Sequence, residues 1–278
     1  MTDISAETVR KLREATNVSM MECKKALVEA GGDLEKATVI LRKRGMSIAA
    51  SKAGRAANQG LVAAASAEGG RIHALVEVNC ETDFVARNAT FQEFVRKMAE
   101  KACSTDGSLG ELCRDETAAK VAEIGENIVV RRNVRYVLSG AGAAASYVHL
   151  GGKVGVLVEL GCDNETTAAN PAFRELLRDI TLQVAASNPR YLSPADVPEN
   201  VAASEREIYA SQVKDKPVQV VGKIVEGKMK KFYSEVCLLD QPFIKEPKIT
   251  VAALIQSKGR ELGDRISVRR FVRYQVGA

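Results

Sequence analysis

Two histidines, His73 and His149, and six cysteines, Cys23, Cys80, Cys103, Cys113, Cys162 and Cys237, are the chain's whole stock of imidazole and thiol side chains. No two cysteines form a C-x-x-C pair, and two histidines are too few for a His-based cluster. Neither a metal site nor a disulfide framework is expected. Six scattered thiols read as the reduced cysteines of a cytoplasmic protein. Asp163 and Glu165 could pair for acid–base work, but they read as a solvated turn. No G-x-x-x-x-G-K-[ST] occurs, so phosphate-loop binding of a nucleotide is not expected. Gly140-Ala141-Gly142-Ala143-Ala144-Ala145 fits G-x-G-x-x-A, yet the following Tyr147-Val148-His149-Leu150 reads as strand where a dinucleotide site needs a helix. The inventory is not that of an enzyme, and no cofactor is expected.

Binding chemistry is better supplied. Arg131-Arg132-x-x-Arg135-Tyr136 recurs as Arg269-Arg270-x-x-Arg273-Tyr274. Strand arginines beside a tyrosine could hold phosphates and stack a base, which makes an RNA-binding accessory protein the competing reading. Strict alternation, however, sends Arg131 and Arg132 to opposite faces, which suits pairing across a sheet at least as well. The formal charge of +5 is modest for a nucleic-acid binder.

The elements that must position these residues belong to an ordinary globular chain of 278 residues, 46% apolar and 27% charged, long enough for two or three cores. No window approaches the apolar length that spans a bilayer, so no membrane contact is expected. The start, MTDISAETVRKLRE, lacks the apolar centre of a secretory signal and reads as a capped helix. Ser5 with the Ile4–Val9 staple opens one short helix, and a Ser19–Glu22 capping box opens a second that Gly31-Gly32 stops. Asp33 caps a third, carrying Leu34 to Leu41 and ending before Gly45. Residues 47–59, rich in Ala, Gly and Lys, read as a helical or flexible linker.

Beyond residue 60 the chain repeats itself. A shift of 82 places Ile72 on Val154, Glu77 on Glu159, Cys80 on Cys162, Phe91 on Phe173 and Met98 on Ile180. Each copy reads as a hairpin turned at Gly69-Gly70 or Gly151-Gly152, whose second strand has one apolar face, followed by an amphipathic helix. A shift of 138 superposes the two arginine-rich closing strands. The shifts differ by 56 residues, so copy two carries an insertion. It lies at about 193–233, where two polar helical runs flank Lys214-Asp215-Lys216-Pro217 as an antiparallel helical hairpin. The predicted fold is α+β: three helices at 1–46, the linker, and hairpin–helix–strand units at 60–139 and 140–278.

Phe84, one of seven Phe in a chain without Trp, stands just past a strand in Val76-Glu77-Val78-Asn79-Cys80-Glu81-Thr82-Asp83-Phe84-Val85. Under the shift of 82 it falls on Thr166, although the framework on either side agrees. A side chain needed by the repeated core would have an apolar counterpart. Phe84 therefore reads as an exposed wedge on a rigid support, with the plugging of a gap peculiar to copy one as the bland alternative.

The run Glu77 to Arg87 resembles the signature of the elongation factor Ts family, nucleotide exchange factors of elongation factor Tu. So does Leu12-Arg13-x-x-Thr16 followed by Met20-Met21-x-Cys23-Lys24-Lys25-Ala26-Leu27. Ile124-Gly125-Glu126-Asn127, Glu226-Gly227-x-Met229-x-Lys231-Phe232 and Gln241-Pro242-Phe243 extend the likeness over the whole chain in order. Asn17 stands where the family usually has Gly. The sequence ends at Gly277-Ala278 where some relatives continue into a further helix, so no contacts of such a helix carry over.

The resemblance implies a UBA-like N-terminal domain and a partner, elongation factor Tu, bound both with GDP and without nucleotide. It implies that Thr82, Asp83, Phe84 and Val85 enter beside that partner's magnesium and phosphates. Arg13, Met20 and Met21 would grip its nucleotide-binding domain, His149 would lie at the contact of the second subdomain, and Ile244 near the partner's third domain. It admits a homodimer or a 2:2 complex. No direct nucleic-acid binding is expected.

Overall fold

The computed structural model describes residues 4–16, 18–213 and 218–278. Asn17, which stands where the family usually has Gly, and Lys214-Asp215-Lys216-Pro217, between the two expected helices of the insertion, lie outside the described residues. Ser5 accepts a hydrogen bond from the amide of Thr8 ahead of α1 (Ala6–Thr16), and Ser19 accepts one from Glu22 ahead of α2 (Met20–Glu29). The reciprocal half of the expected capping box is missing, because Glu22 turns to Lys25 at 2.8 Å and Arg44 at 3.2 Å. Asp33 caps α3 (Leu34–Lys52) through the amides of Glu35 and Lys36. Val9, Leu12, Cys23, Leu27 and Leu41 form the core shared by the three helices.

The third helix does not end before Gly45. It continues through Gly45 to Lys52, so the first residues of the expected linker are helical. Glycine costs a helix interior about 1 kcal/mol relative to alanine, but packing against residues 114–124 carries the helix through it. A Cβ on Gly45 would lie 3.7 Å from the carbonyl of Ala118 and 3.8 Å from Ala122.

The chain then forms β1 (Gln59–Ala67), β2 (Ile72–Cys80), a helical turn α4 (Asp83–Ala86), α5 (Ala89–Ser104), α6 (Leu109–Leu112), α7 (Arg114–Ile124) and β3 (Val129–Val137). The second copy follows as β4 (Gly142–His149), β5 (Val154–Gly161), α8 (Glu165–Ala169) and α9 (Pro171–Ser187). Next come the inserted α10 (Glu199–Ser211) and α11 (Val218–Val236), the short strands β6 (Pro242–Phe243) and β7 (Glu246–Thr250), then α12 (Val251–Leu262) and β8 (Ser267–Gln275). Two antiparallel sheets result, β1-β2-β3 and β4-β5-β8, each with its hairpin and closing strand as the repeat predicts. Both hairpins turn through a non-glycine residue at positive φ, Glu68 (51°) and Leu150 (50°), followed by two positive-φ glycines. Only glycine follows that path at little cost, which is why the Gly-Gly pair recurs.

One expectation fails on both copies. The central strands β2 and β5 are buried on both faces, not one. Ile72, Ala74, Val76 and Val78 face α5 with Phe91, Val95 and Met98, while the equivalent residues of β5 face α9 with Phe173, Leu177 and Ile180. The opposite faces meet each other: Leu75, Leu157, Val62, Ala144, Tyr136 and Tyr274 make a core between the sheets. Polar Glu77 and Glu159 disguise these inner faces in the sequence. Both carboxylates are buried.

Arginines compensate them. A bulge opposite Glu77 pairs Glu77 with Arg132 and Val78 with Val130, leaving Arg131 as the extra residue. The bulge cancels the alternation, so both arginines reach Glu77, Arg132 at 2.7 Å and Arg131 at 3.6 Å. Copy two repeats the bulge, with Arg270 and Arg269 on Glu159 at 2.7 and 3.2 Å. The tyrosines cross over. Arg132 lies 4.4 Å above the ring of Tyr274, and Arg270 lies 4.0 Å above that of Tyr136. The arginine–tyrosine pairs that suggested base stacking thus bind the two sheets to each other across an approximate two-fold.

His73 sits beside this interface, its Nε2 3.0 Å from the carbonyl of Gly70, while buried Nδ1 has no partner. Burial pushes its pKa below the ordinary value, and the charge of Arg174 adds to this. The unfolded chain takes up that proton near pH 6.5 and the folded chain resists it. This contribution to stability is complete above about pH 6.5 and declines as pH falls toward the folded value. Urea midpoints of the wild type should drop between pH 7.5 and 5.5 more steeply than those of His73→Gln. Equal slopes would contradict a neutral buried imidazole.

The insertion has a small core of its own in Val197, Ala202, Met229, Phe232 and Val236. At its base the amides of Arg190 and Tyr191 donate to the carbonyl of Val236, and that of Leu238 to Tyr191. These bonds hold its two ends together, so a short glycine linker replacing residues 194–232 should leave both sheets folded. The expected far-ultraviolet spectrum loses helix and keeps strand; loss of the strand signal would contradict independence.

Candidate functional site

The Phe84 loop is built by capping. Thr82 accepts a hydrogen bond from the amide of Val85, starting α4, and Cys80 Sγ donates to the carbonyl of Thr82 at 3.2 Å. Asp83 pairs with Arg87 at 2.9 Å on the exposed side. The loop is then anchored from outside. Glu126 Oε2 accepts from the amides of Glu81 and Thr82 at 3.0 Å each, and Glu126 Oε1 accepts from the Thr82 hydroxyl at 2.6 Å. Glu81 answers by accepting from the amide of Asn127 at 2.6 Å. Val85 and Ala86 pack onto the core, whereas Phe84 points outward, 80% exposed. The gap-filling alternative is excluded. Burial pushes the Cys80 thiol up to about 12, so it acts as a neutral donor and not as a nucleophile.

Copy two builds the same loop without the aromatic. Asp264, at the place of Glu126, accepts from the amides of Asp163 and Asn164 at 3.1 Å each, and Cys162 donates to Asn164. The Thr167 side chain, ahead of these amides, holds the Asp264 carboxyl down to about 2. Asp163 and Glu165, the candidate acid–base pair, are exposed on this loop, and Thr166 is exposed in place of Phe84.

The copy-two hairpin comes to the Phe84 end of the sheets. Lys153, just past the turn, donates to Gln59 Oε1 and the Gly60 carbonyl, and Gln59 and Gly60 are paired with Cys80 and Asn79. His149 on that turn is exposed, its Nδ1 2.7 Å from Tyr147 Oη, and Leu150 beside it is 67% exposed. Arg13, near the end of α1, and Met20 and Met21, at the start of α2, are also exposed. Arg42 pairs with Asp115, and Lys52 donates to the Gly125 carbonyl at 2.6 Å, tying α3 to the helix that precedes Glu126. Ile244 stands apart on the β6–β7 hairpin, its amide held by buried Gln183, which also bonds Gln241.

This arrangement presents exposed apolar groups on fixed supports and places no nucleophile, base and acid together. Among the described residues no group of three or more His, Cys, Asp or Glu side chains could hold a metal ion, and no helix is long and apolar enough to cross a membrane. The six cysteines are free and buried. The profile of the family described as Elongation factor TS matches residues 81–278. The chain belongs to the elongation factor Ts family. Elongation factor Ts of Nitratidesulfovibrio vulgaris strain DP4 is 43% identical over 276 residues, covering 99% of this chain and 96% of the relative. Those of Clostridium botulinum strain Alaska E43 and Trichlorobacter lovleyi are 42% and 39% identical, each covering 99% of this chain and 93% of their own.

Sequence reasoning picked out Glu126 only through its place in a family motif. Its clamp had a signal all the same. The shift of 138 places Asp264 on it, an acid in both copies between the matched pairs Gly125/Gly263 and Ile128/Ile266.

Proposed function

We propose that this elongation factor Ts relative acts in translation elongation as the nucleotide exchange factor of elongation factor Tu. It binds the GDP form, loosens GDP and magnesium, and holds the empty form until GTP enters. The carrying observation is an 80% exposed phenylalanine on a loop fastened by three hydrogen bonds to one carboxylate. A wedge of this kind binds without first being ordered, which conserves interface free energy. Thr82, Asp83, Phe84 and Val85 meet the partner's magnesium and phosphate region. Leu150 and His149, at the same end, extend the contact, and Arg13, Met20 and Met21 grip the nucleotide-binding domain. Ile244 reaches a different part of the partner. In this reading residues 1–46 are a UBA-like docking domain, 47–59 the link, and 60–139 and 140–278 two subdomains acting together from the cytoplasm.

Fully burying a phenylalanine yields about 1.5–3 kcal/mol. A tenfold change in rate takes about 1.4 kcal/mol off the barrier, so Phe84 accounts for about one to two decades, and the other contacts must supply the rest. Linkage makes the effect reciprocal. Titration of elongation factor Tu with this chain should give weaker binding as GDP is raised, by the same factor by which the chain weakens GDP. Binding indifferent to GDP would rule the exchange reading out.

A further inference from the structure

The repeat exposes a difference that the exchange reading does not use. In copy one, α3 lies in a groove between α7 and β3, its Met46, Ala49 and Ala50 and the following Ala53 against Thr117, Val121, Ile128 and Val130, leaving about 400 Å³ open beside it. The shift of 138 carries those four groove residues onto Ile255, Gly259, Ile266 and Val268. These line a groove between α12 and β8 of about 1260 Å³, in which no helix of the described residues lies. Ile255, Ile266 and Val268 are buried at its floor.

The rims differ in a way that selects an occupant. Ala118 and Ala122, which meet Gly45 of α3, are replaced by Gln256 and Arg260. Both are exposed, and Arg260 makes no ion pair among the described residues. At the far end Gly263 occupies the place of Gly125, whose carbonyl receives Lys52 in copy one. We infer that the α12–β8 groove is a second docking surface, for a helix of a different protein. That helix bears a Gly/Ala stripe for the floor, an acidic residue opposite Arg260, and a basic residue one or two turns on toward Gly263. Small-residue packing brings the backbones close, and the acid–arginine pair sets the direction and separates this occupant from α3 itself.

The probe is a stapled, labelled peptide of residues 38–53, in its own sequence and with Gly45→Glu, titrated with the full-length chain. The Glu-bearing peptide should bind saturably and about tenfold more tightly than the unmodified one. Gln256→Trp, which fills the groove from an exposed position, should abolish binding while the melting temperature stays within a few degrees. Arg260→Glu should weaken it about tenfold, and a peptide with Gly45→Lys should restore it. No saturable binding of either peptide, or binding indifferent to Gln256→Trp, overturns the assignment. So would a concentration-dependent dimer abolished by Gln256→Trp, which would give the groove to a second copy of this chain.

Discussion

Phe84→Ala should slow catalysed GDP release by about ten- to a hundredfold, the rate equivalent of the aromatic burial at stake. The free protein should melt almost unchanged, because an exposed ring has few internal contacts to lose. Phe91, seven residues on and fully buried, is the contrasting control. Phe91→Ala should cost about 3–5 kcal/mol of stability by leaving a cavity between β2 and α5. Thr166→Ala, on the matching loop of copy two, should alter neither exchange nor melting. Asp83→Ala should slow exchange with little effect on stability, since the Asp83–Arg87 pair is exposed and such pairs contribute little.

Glu126→Ala should be nearly as damaging to exchange although the residue need not touch the partner. It removes the acceptor of two amides and a hydroxyl at once, and hydrogen bonds to a charged group are worth about 1.5–3 kcal/mol each. Part of that loss returns when the freed groups meet water, so we expect about 1–3 kcal/mol of destabilisation and a wedge no longer held in place. Exchange should fall about tenfold or more, and Phe84→Ala added to Glu126→Ala should slow it little further, because both act through one loop. Asp264→Ala loosens the corresponding loop of copy two, which has no aromatic to position. It should lower the melting temperature and leave exchange near the wild-type rate. Equal exchange defects in Glu126→Ala and Asp264→Ala would mean that the clamp serves general stability and not the wedge.

What could be read from the residues depended on whether the signal was local. The hairpins, the long helices after them and the closing strands follow from period-two and helical patterning, and their recurrence doubled each signal. The exposure of Phe84 was legible for the same reason, since the copy with Thr166 shows that the core does not need it. The second buried face of β2 and β5 was hidden because Glu77 and Glu159 look like solvent-facing residues. Their partners lie on another strand, and the bulges that bring Arg131 and Arg269 to them leave no local mark. Gly45 misled in the opposite sense. A glycine near the end of a helical run reads as a stop, and only the packing of α3 on α7, distant in sequence, carries the helix through it. Glu126 was obscured by distance, 44 residues from Thr82, a separation no local pattern spans.

Stopped-flow release of fluorescent GDP from elongation factor Tu, as this chain is titrated in, tests the exchange reading and its wedge together. The wild type should accelerate release to a saturating limit. Phe84→Ala should reach a limit about ten- to a hundredfold lower, while its own melting curve overlays that of the wild type. No acceleration by the wild type, or equal limits for the two folded proteins, would contradict the proposal.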